Sequence, residues 1–309
     1  MPASTYILEE ILCAARAAGA SDVHLTAGSQ PRMRVGGELF PMGFARLLPT
    51  DTLDILLRIL PEGQREQFEE QGEYDFAFSV SRGGRCRVNA YKQKGNVALA
   101  LRLVEENVPS AESLGLPEEV MALYQLKQGL VLVVGVSGSG KSTTLAALID
   151  QVNTFRNAHI ITLENPVEYL HSHKMSMVNQ REIGLDSRDY VSALKAVLRE
   201  DPDVILVSDL DDYETAAAAV SAAETGHLVL AGVYASGVED AVEHILDGAL
   251  PHRQAQMRLR LANVLEAVVY QHMVQEEGGS RRAEYEVLRG REDIWKFLGE
   301  GMHQEPDEK

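Results

Sequence analysis

Two rhythms of apolar residues divide the chain. Over residues 5–18, Ile7, Leu8, Ile11, Leu12 and Ala15 fall on one face of a 3.6-residue period, which predicts a helix that Gly19 can cap. After that the period shortens to two. VHLTA, RMRV and ELF around Gly36-Gly37, EYDFAFSV, CRVNAYKQ and NVALALRLV read as strands, with Arg82-Gly83-Gly84 marking another turn. A helical insert at roughly 50–70 carries Leu53, Leu56, Leu57 and Leu60. The first hundred residues therefore predict an antiparallel sheet flanked by helices.

From Leu130 the rhythm changes again. LVLVV, HIITL, VILV and HLVLAGV are short continuous apolar runs. Between them lie amphipathic stretches carrying Leu145, Leu148, Ile149 and Val152, then Tyr190, Ala193, Leu194, Val197 and Leu198 over 187–199, then an Ala-rich segment over 213–224. Apolar strands alternating with helices imply a parallel sheet covered on both faces. Ser236-x-x-Glu239 reads as a capping box opening a further helix. Beyond about 250 the pattern reads as mostly helical, with YEVL a candidate strand and 300–309 a frayed tail. The expectation is an α/β protein: a smaller α+β domain over 1–105, a linker over 106–117 holding Pro109 and Pro117, and a parallel-rich domain over 118–309.

Composition narrows the classes. At 309 residues the chain fits two cores better than one. With 45% hydrophobic and 24% charged residues it is globular. The formal net charge of −17 argues against nucleic acid as a partner, because counterion release needs a basic patch. Arg281-Arg282 is too short to make one and reads as surface charge. Two distant cysteines, Cys13 and Cys86, read as free thiols of a reducing compartment. MPASTYILEE carries acids where a signal peptide needs a basic start, and the longest apolar runs fall short of a membrane span, so a cytoplasmic location is expected.

One stretch carries specific chemistry. Gly135-Val-Ser-Gly-Ser-Gly-Lys-Ser-Thr143 matches G-x-x-x-x-G-K-[ST] between a predicted strand and a predicted helix. Gly135, Gly138 and Gly140 let the backbone turn tightly, so that N–H groups of Ser137, Ser139 and their neighbours point at phosphate oxygens. Lys141 reaches the outer phosphates, Ser142 is the expected Mg²⁺ ligand, and Thr143 completes the motif. ATP with Mg²⁺ is the expected cofactor pair.

Four further stretches flank this loop: GASDVHLTAG at 19–28, ITLENPVEYLH at 161–171, NQREIG at 179–184, and LREDPDVILVSDLDDYETAAAAVSAAETGHLVLAGVYAS ending at Ser236. In this order they resemble the PilT-type ATPases that retract type IV pili, within the type II/type IV secretion ATPase superfamily. The resemblance runs from about residue 5 to about 298. It implies a PAS-like N-terminal domain, a RecA-like ATPase domain, and a hexameric ring, of this chain alone or mixed with a paralogue. It further implies ATP held between subunits and an inner-membrane platform protein as partner, which would place the chain in the cytoplasm at the inner membrane.

By motif, the resemblance makes Glu164 and Glu168 the acids of an aspartate box, and Asp209 the counterpart of the Walker B glutamate that activates water. His227 becomes the first residue of the histidine box, and Arg87 and Arg102 become N-domain arginines that reach the γ-phosphate. Three departures stand out. Ser208-Asp209 replaces Gly-Glu, Tyr234 replaces the second histidine, and the C-terminal retraction motif is not recognisable, GREDIWKFLGEG (290–301) lying where it should.

The shorter acid retracts by about 1.5 Å on a fixed backbone, and about 1 Å of misplacement can cost on the order of a hundredfold in rate. Asp209 therefore reads as a water-bridged base, as an acid beside Mg²⁺ with Glu164 positioning the water, or as a helix cap. Its place at the end of a core strand favours the site, and Asp211 and Asp212 read as caps. For His227, a structural histidine and a γ-phosphate sensor both fit. Tyr234 cannot relay a proton as imidazole does, though its hydroxyl can donate. His171-x-His173 beside Glu168 has a metal look but reads as a solvated turn. Two functions follow: an ATP-hydrolysing motor for pilus retraction, or a nucleotide-binding accessory subunit with weak or no hydrolysis.

Overall fold

The structure, a computed structural model, describes residues 3–80, 84–104, 107–247, 249–275 and 281–290, with 293, 294 and 298. The chain forms two compact units, Met1–Glu106 and Asn107–Lys309.

The N-terminal unit opens with α1 (Ala3–Ala17), which ends where Gly19 adopts φ +67° and Ala20 N–H returns to the Ala15 carbonyl. Six strands follow: β1 (Asp22–Thr26), β2 (Arg32–Val35), β3 (Glu38–Pro41), β4 (Glu73–Val80), β5 (Gly84–Gln93) and β6 (Asn96–Leu103). They pair antiparallel throughout in the order β3-β2-β1-β6-β5-β4. The Gly36-Gly37 turn has positive φ at both residues, the mirror-image turn whose twist suits a two-residue hairpin. The helical insert is divided: α2 (Pro49–Ile59), a 3₁₀ turn at Glu62–Gln64, and α3 (Arg65–Gln71). Pro61 at the division cannot continue a helix. Period-two alternation puts Val23, Leu25, Cys86, Val88, Leu99 and Leu101 into one core with Leu12 and Ile55. Neither Cys13 nor Cys86 forms a disulfide.

In the C-terminal unit, Ala111 and Leu116 already lie buried in its core, so this Pro-flanked stretch is packed rather than a free tether. A short helix, α4 (Glu118–Met121), leads to β7 (Gly129–Val134). Then come α5 (Lys141–Phe155), β8 (His159–Glu164), β9 (Met177–Glu182), α6 (Tyr190–Val197), β10 (Val204–Val207), α7 (Tyr213–Glu224), β11 (Leu228–Val233), α8 (Val238–Leu246), α9 (Pro251–Val264), β12 (Leu265–Gln275) and β13 (Arg281–Arg289). The sheet order is β13-β12-β7-β11-β10-β8-β9, with β13 antiparallel and the others parallel. All six residues of β7 are buried. Leu130, Leu132 and Val134 pack toward α6–α9, while Val131 and Val133 pack toward α5 and Leu116. Burying one such side chain contributes about 1.5–3 kcal/mol, which explains why the strand is continuously apolar.

Three expectations are corrected. Leu265–Gln275 and Arg281–Arg289 are paired antiparallel strands, not helix, and the second holds the expected YEVL strand: Val268, Val269 and Tyr270 are β-formers, and β7 offers them a buried edge. The Ser236 capping box does not form. Gly237 is the N-cap of α8 without a side-chain bond, and the Ser236 hydroxyl donates to Asp240 instead. The helix expected over 187–199 is shorter, starting at Tyr190 because the Asp189 carboxylate accepts from Ser192 N–H and caps it there. The 290–301 segment is described only at Gly290, Asp293, Ile294 and Leu298, so the retraction-motif expectation lies largely outside the described residues. Among the described residues no helix is long and apolar enough to cross a membrane.

Candidate functional site

In a parallel sheet the carboxyl ends of all strands share one edge, and ligands bind there. The loop 135–140 follows β7, Glu164 ends β8, Ser208-Asp209 follows β10 and Tyr234 follows β11. Four segments widely separated in the sequence therefore meet at a single edge.

The loop is made by its glycines. Gly138 and Gly140 take φ +77° and +90°, which glycine adopts without strain. At Gly135 a Cβ would strike the Ser139 hydroxyl and the Gln271 carbonyl, so the close approach itself requires glycine. Gln271 of β12, only 1% exposed, donates from Nε2 to the Ser139 carbonyl at 2.6 Å and pins the loop from behind. Gly140 is the N-cap of α5 with no side-chain cap, so the first-turn N–H groups of that helix remain available to an anion.

Lys141 donates from Nζ to the carbonyls of Gly135 (2.8 Å) and Val136 (3.3 Å). Burial holds its pKa below the usual lysine range, against the pull of Asp209, Asp211 and Glu168. The Tyr234 ring, 52% exposed, lies with its centroid 5.7 Å from Nζ, a cation–π approach. Thr143 Oγ1 and the Tyr169 hydroxyl are hydrogen-bonded at 2.9 Å, joining α5 to the acidic loop.

Glu164 is buried, and burial pushes its carboxyl above the ordinary range. Thr162 Oγ1 (2.6 Å) and Gln180 Nε2 (3.0 Å) donate to its Oε1. Gln180 also donates to the Tyr169 carbonyl at 2.8 Å and accepts from His171 N–H at 2.9 Å, so one amide organises the whole 164–171 loop. Glu168 is exposed. Asp209 accepts from Ser208 Oγ at 3.1 Å, and burial again raises its carboxyl. Asp212 is the helix cap, accepting from Thr215 N–H and Oγ1, each at 2.8 Å. Asp209 is thus free of capping.

Ser142, Glu164, Glu168, Tyr169, His171 and Asp209 line a cavity of about 30 Å³, room for a single small species such as a water. Its oxygens include hydroxyls and carboxylates, the hard donors that Mg²⁺ takes. Among the described residues no group of three or more His, Cys, Asp or Glu could hold a metal ion. His173 accepts from Val178 N–H at 3.0 Å, as a structural turn residue. Burial pulls His171 down to about 4, so it is a neutral imidazole near pH 7.

Two sets of expected residues lie elsewhere. His227 precedes β11 and so sits at the amino edge, roughly 20 Å from the loop by strand length. Its Nδ1 contacts the Ala222 carbonyl (2.9 Å) and Thr225 Oγ1 (3.1 Å). Of the two readings of His227, these contacts fit the structural histidine, and strand direction places Tyr234 beside Lys141. Arg87 and Arg102 are cross-strand partners on the face of the N-terminal sheet opposite its core, with Arg102 Nε donating to Asp22 Oδ1 at 3.0 Å. Gln271 and Gln180 were not singled out from the sequence, while Tyr190 was read only as a helix-face residue and Ser208 only as a departure from Gly. A glutamine inside the apolar run LEAVVYQHM was the one available signal.

Known proteins are similar to this chain along most of its length. The chain is 42% identical over 271 residues to a Pseudomonas aeruginosa protein named Type IV pilus ATPase PilU, covering 87% of this chain and 71% of that one. It is 37% identical over 293 residues to the same organism's Type IV pilus retractation ATPase PilT, covering 95% and 85%. A crystal structure described as the pilus retraction motor PilT with bound ADP superimposes with a TM-score of 0.88 at 42% identity, covering 96% of this chain and 87% of that one. The profile of the family described as Type II/IV secretion system protein matches residues 3–299. A phosphate-cradling loop, an acidic wall and this likeness along nearly the whole chain lead to one conclusion: the protein belongs to the type II/IV secretion system protein family, as a member with the RecA-like ATPase fold of the pilus retraction motors.

Proposed function

We propose that the protein is an ATP-hydrolysing oligomeric motor that powers type IV pilus retraction. The observation that carries this reading is the convergence of Lys141 with Glu164, Glu168 and Asp209 on one sheet edge, behind a glycine-built loop. The loop N–H groups and the α5 N-terminus grip the phosphates, while Lys141 exchanges the Gly135 carbonyl for a phosphate oxygen. Ser142 would hold Mg²⁺, which would supply charge neutralisation where several carboxylates face a polyphosphate. Asp209 orients the attacking water, and Glu164, kept basic by burial, stands behind it. Assembly into a hexamer would bring Arg87 and Arg102 to a nucleotide bound by a neighbouring copy, against an inner-membrane platform partner on the cytoplasmic side.

A second reading, an accessory subunit that holds nucleotide with little turnover, is favoured by one contact: Lys141 is folded onto its own loop under the Tyr234 ring. Phosphate release by the purified chain, measured at several protein concentrations with Mg²⁺–ATP, separates the two. A motor shows turnover that rises with assembly. An accessory subunit shows nucleotide-dependent assembly without phosphate release, and absence of nucleotide binding at every concentration refutes both.

A further inference from the structure

The acid at the end of β10 is one methylene shorter than the resemblance calls for, and the backbone cannot move to make up the distance. Ser208 N–H is bonded to the Leu163 carbonyl (2.9 Å) and Leu210 N–H to the Gly232 carbonyl (2.8 Å). The Ser208 carbonyl presses on Gly232 so closely that no Cβ would fit there. Asp209 is held between two fixed neighbours, so only its side chain can adjust.

That side chain is under control from a second direction. Ser208 Oγ makes three contacts: the Asp209 Oδ2 oxygen at 3.1 Å, the Tyr190 hydroxyl at 2.6 Å and Asn165 N–H at 3.3 Å. A hydroxyl has one proton to give and two lone pairs to fill. The Asn165 amide can only donate, and the carboxylate at neutral pH can only accept. Ser208 must therefore give its proton to Asp209, and Tyr190 must give its own to Ser208. The three contacts saturate Ser208 and fix the direction of the chain. Tyr190 is anchored on α6 and half-buried, and burial keeps its phenol protonated, as the chain requires.

We infer that Tyr190 and Ser208 are positioning residues that hold the short Asp209 carboxylate in a single orientation toward the nucleotide, a tether that a glycine at position 208 could not provide. A longer acid with its carboxylate further out would not need it. The inference rests on the reading of Asp209 as the acid that orients water, and it adds the two side chains that make an aspartate adequate for that task. Lys141 and Asp211 are the charged groups facing Asp209, and neither donates to the oxygen that Ser208 holds.

The test is the steady-state turnover of the full chain with Mg²⁺–ATP. Ser208→Ala and Tyr190→Phe are each expected to lower kcat about tenfold, with KM for ATP and assembly unchanged. In the Asp209→Glu background, adding Ser208→Ala should change kcat less than about twofold, since the tethered geometry is already gone. Full turnover in both single variants overturns the inference while leaving the motor reading intact, and so does an equal loss from Ser208→Ala in both backgrounds. A wild-type chain without turnover overturns the motor reading and this inference together.

Discussion

Along the carboxyl edge of the C-terminal sheet, the loop after β7 and the strand ends of β8 and β10 do their work with different materials. The loop grips with backbone. Its specificity lies in Gly135, Gly138 and Gly140, in the bare N-terminus of α5 and in Gln271 behind it, while Val136 and Ser137 point to solvent. The acidic side works with carboxylates, and buried Glu164 and half-buried Asp209 each have a hydrogen-bond escort: Thr162 and Gln180 for Glu164, Ser208 and, through it, Tyr190 for Asp209. A backbone device tolerates change at its exposed positions and little at its glycines. A side-chain device can absorb a shortened acid, provided a neighbour supplies the missing constraint. This difference explains how a standard phosphate loop can stand opposite a departure such as Ser208-Asp209.

Breaking the comparison on the loop side has the largest expected effect. Lys141→Ala removes the lysine cation of the cradle and should lower ATP turnover by about a thousandfold, read as phosphate release, with folding intact by circular dichroism. Retained turnover would mean that the backbone alone carries the chemistry.

On the acidic side, Glu164→Gln should lower kcat by about a hundredfold and yet stabilise the protein. The native state binds the Glu164 proton more tightly than the unfolded chain does, because burial raises that carboxyl. Stability is therefore lost as pH rises from the ordinary carboxylate value of about 4.3 through the raised one. At neutral pH the variant should melt higher than the wild type, and at pH 4 the gain should vanish. A lower melting temperature at neutral pH would contradict the assigned cause.

The smallest effect sharpens the loop side. Gln271→Ala leaves the Ser139 carbonyl without its buried donor, a penalty of about 1–3 kcal/mol concentrated in the loop. KM for ATP should rise about tenfold while kcat holds. A fall in kcat with unchanged KM would place Gln271 on the acidic side of the division instead.

Much of the fold was readable from the chain. Continuous apolar runs named β7, β8, β10 and β11, and period-two alternation named the strands of the N-terminal sheet. Of β13 only YEVL stood out, and β12 was not readable, because α9 passes into it at Leu265 with no glycine or proline between them, and apolar content continues unbroken. Only the vacant edge of β7 makes those residues extended. Of the site, the phosphate loop and Asp209 stood out by motif and position. For His227 the motif left two readings open, because a motif records order along the chain, whereas the end of β11 a residue occupies depends on which way the strand runs.

By itself the sequence determined local matters: where glycines must turn, which runs are buried, which loop holds phosphate and which acids are candidates. Those follow from φ/ψ freedom, hydrophobic period and side-chain chemistry, all properties of neighbouring residues. Tertiary structure alone decided that Gln271 reaches the phosphate loop, that Gln180 holds Glu164, and that a tyrosine on α6 meets a serine after β10. Such contacts join residues as far as 132 positions apart, and hydrogen bonds act over about 3 Å, so only the packing of the sheet could bring them within reach.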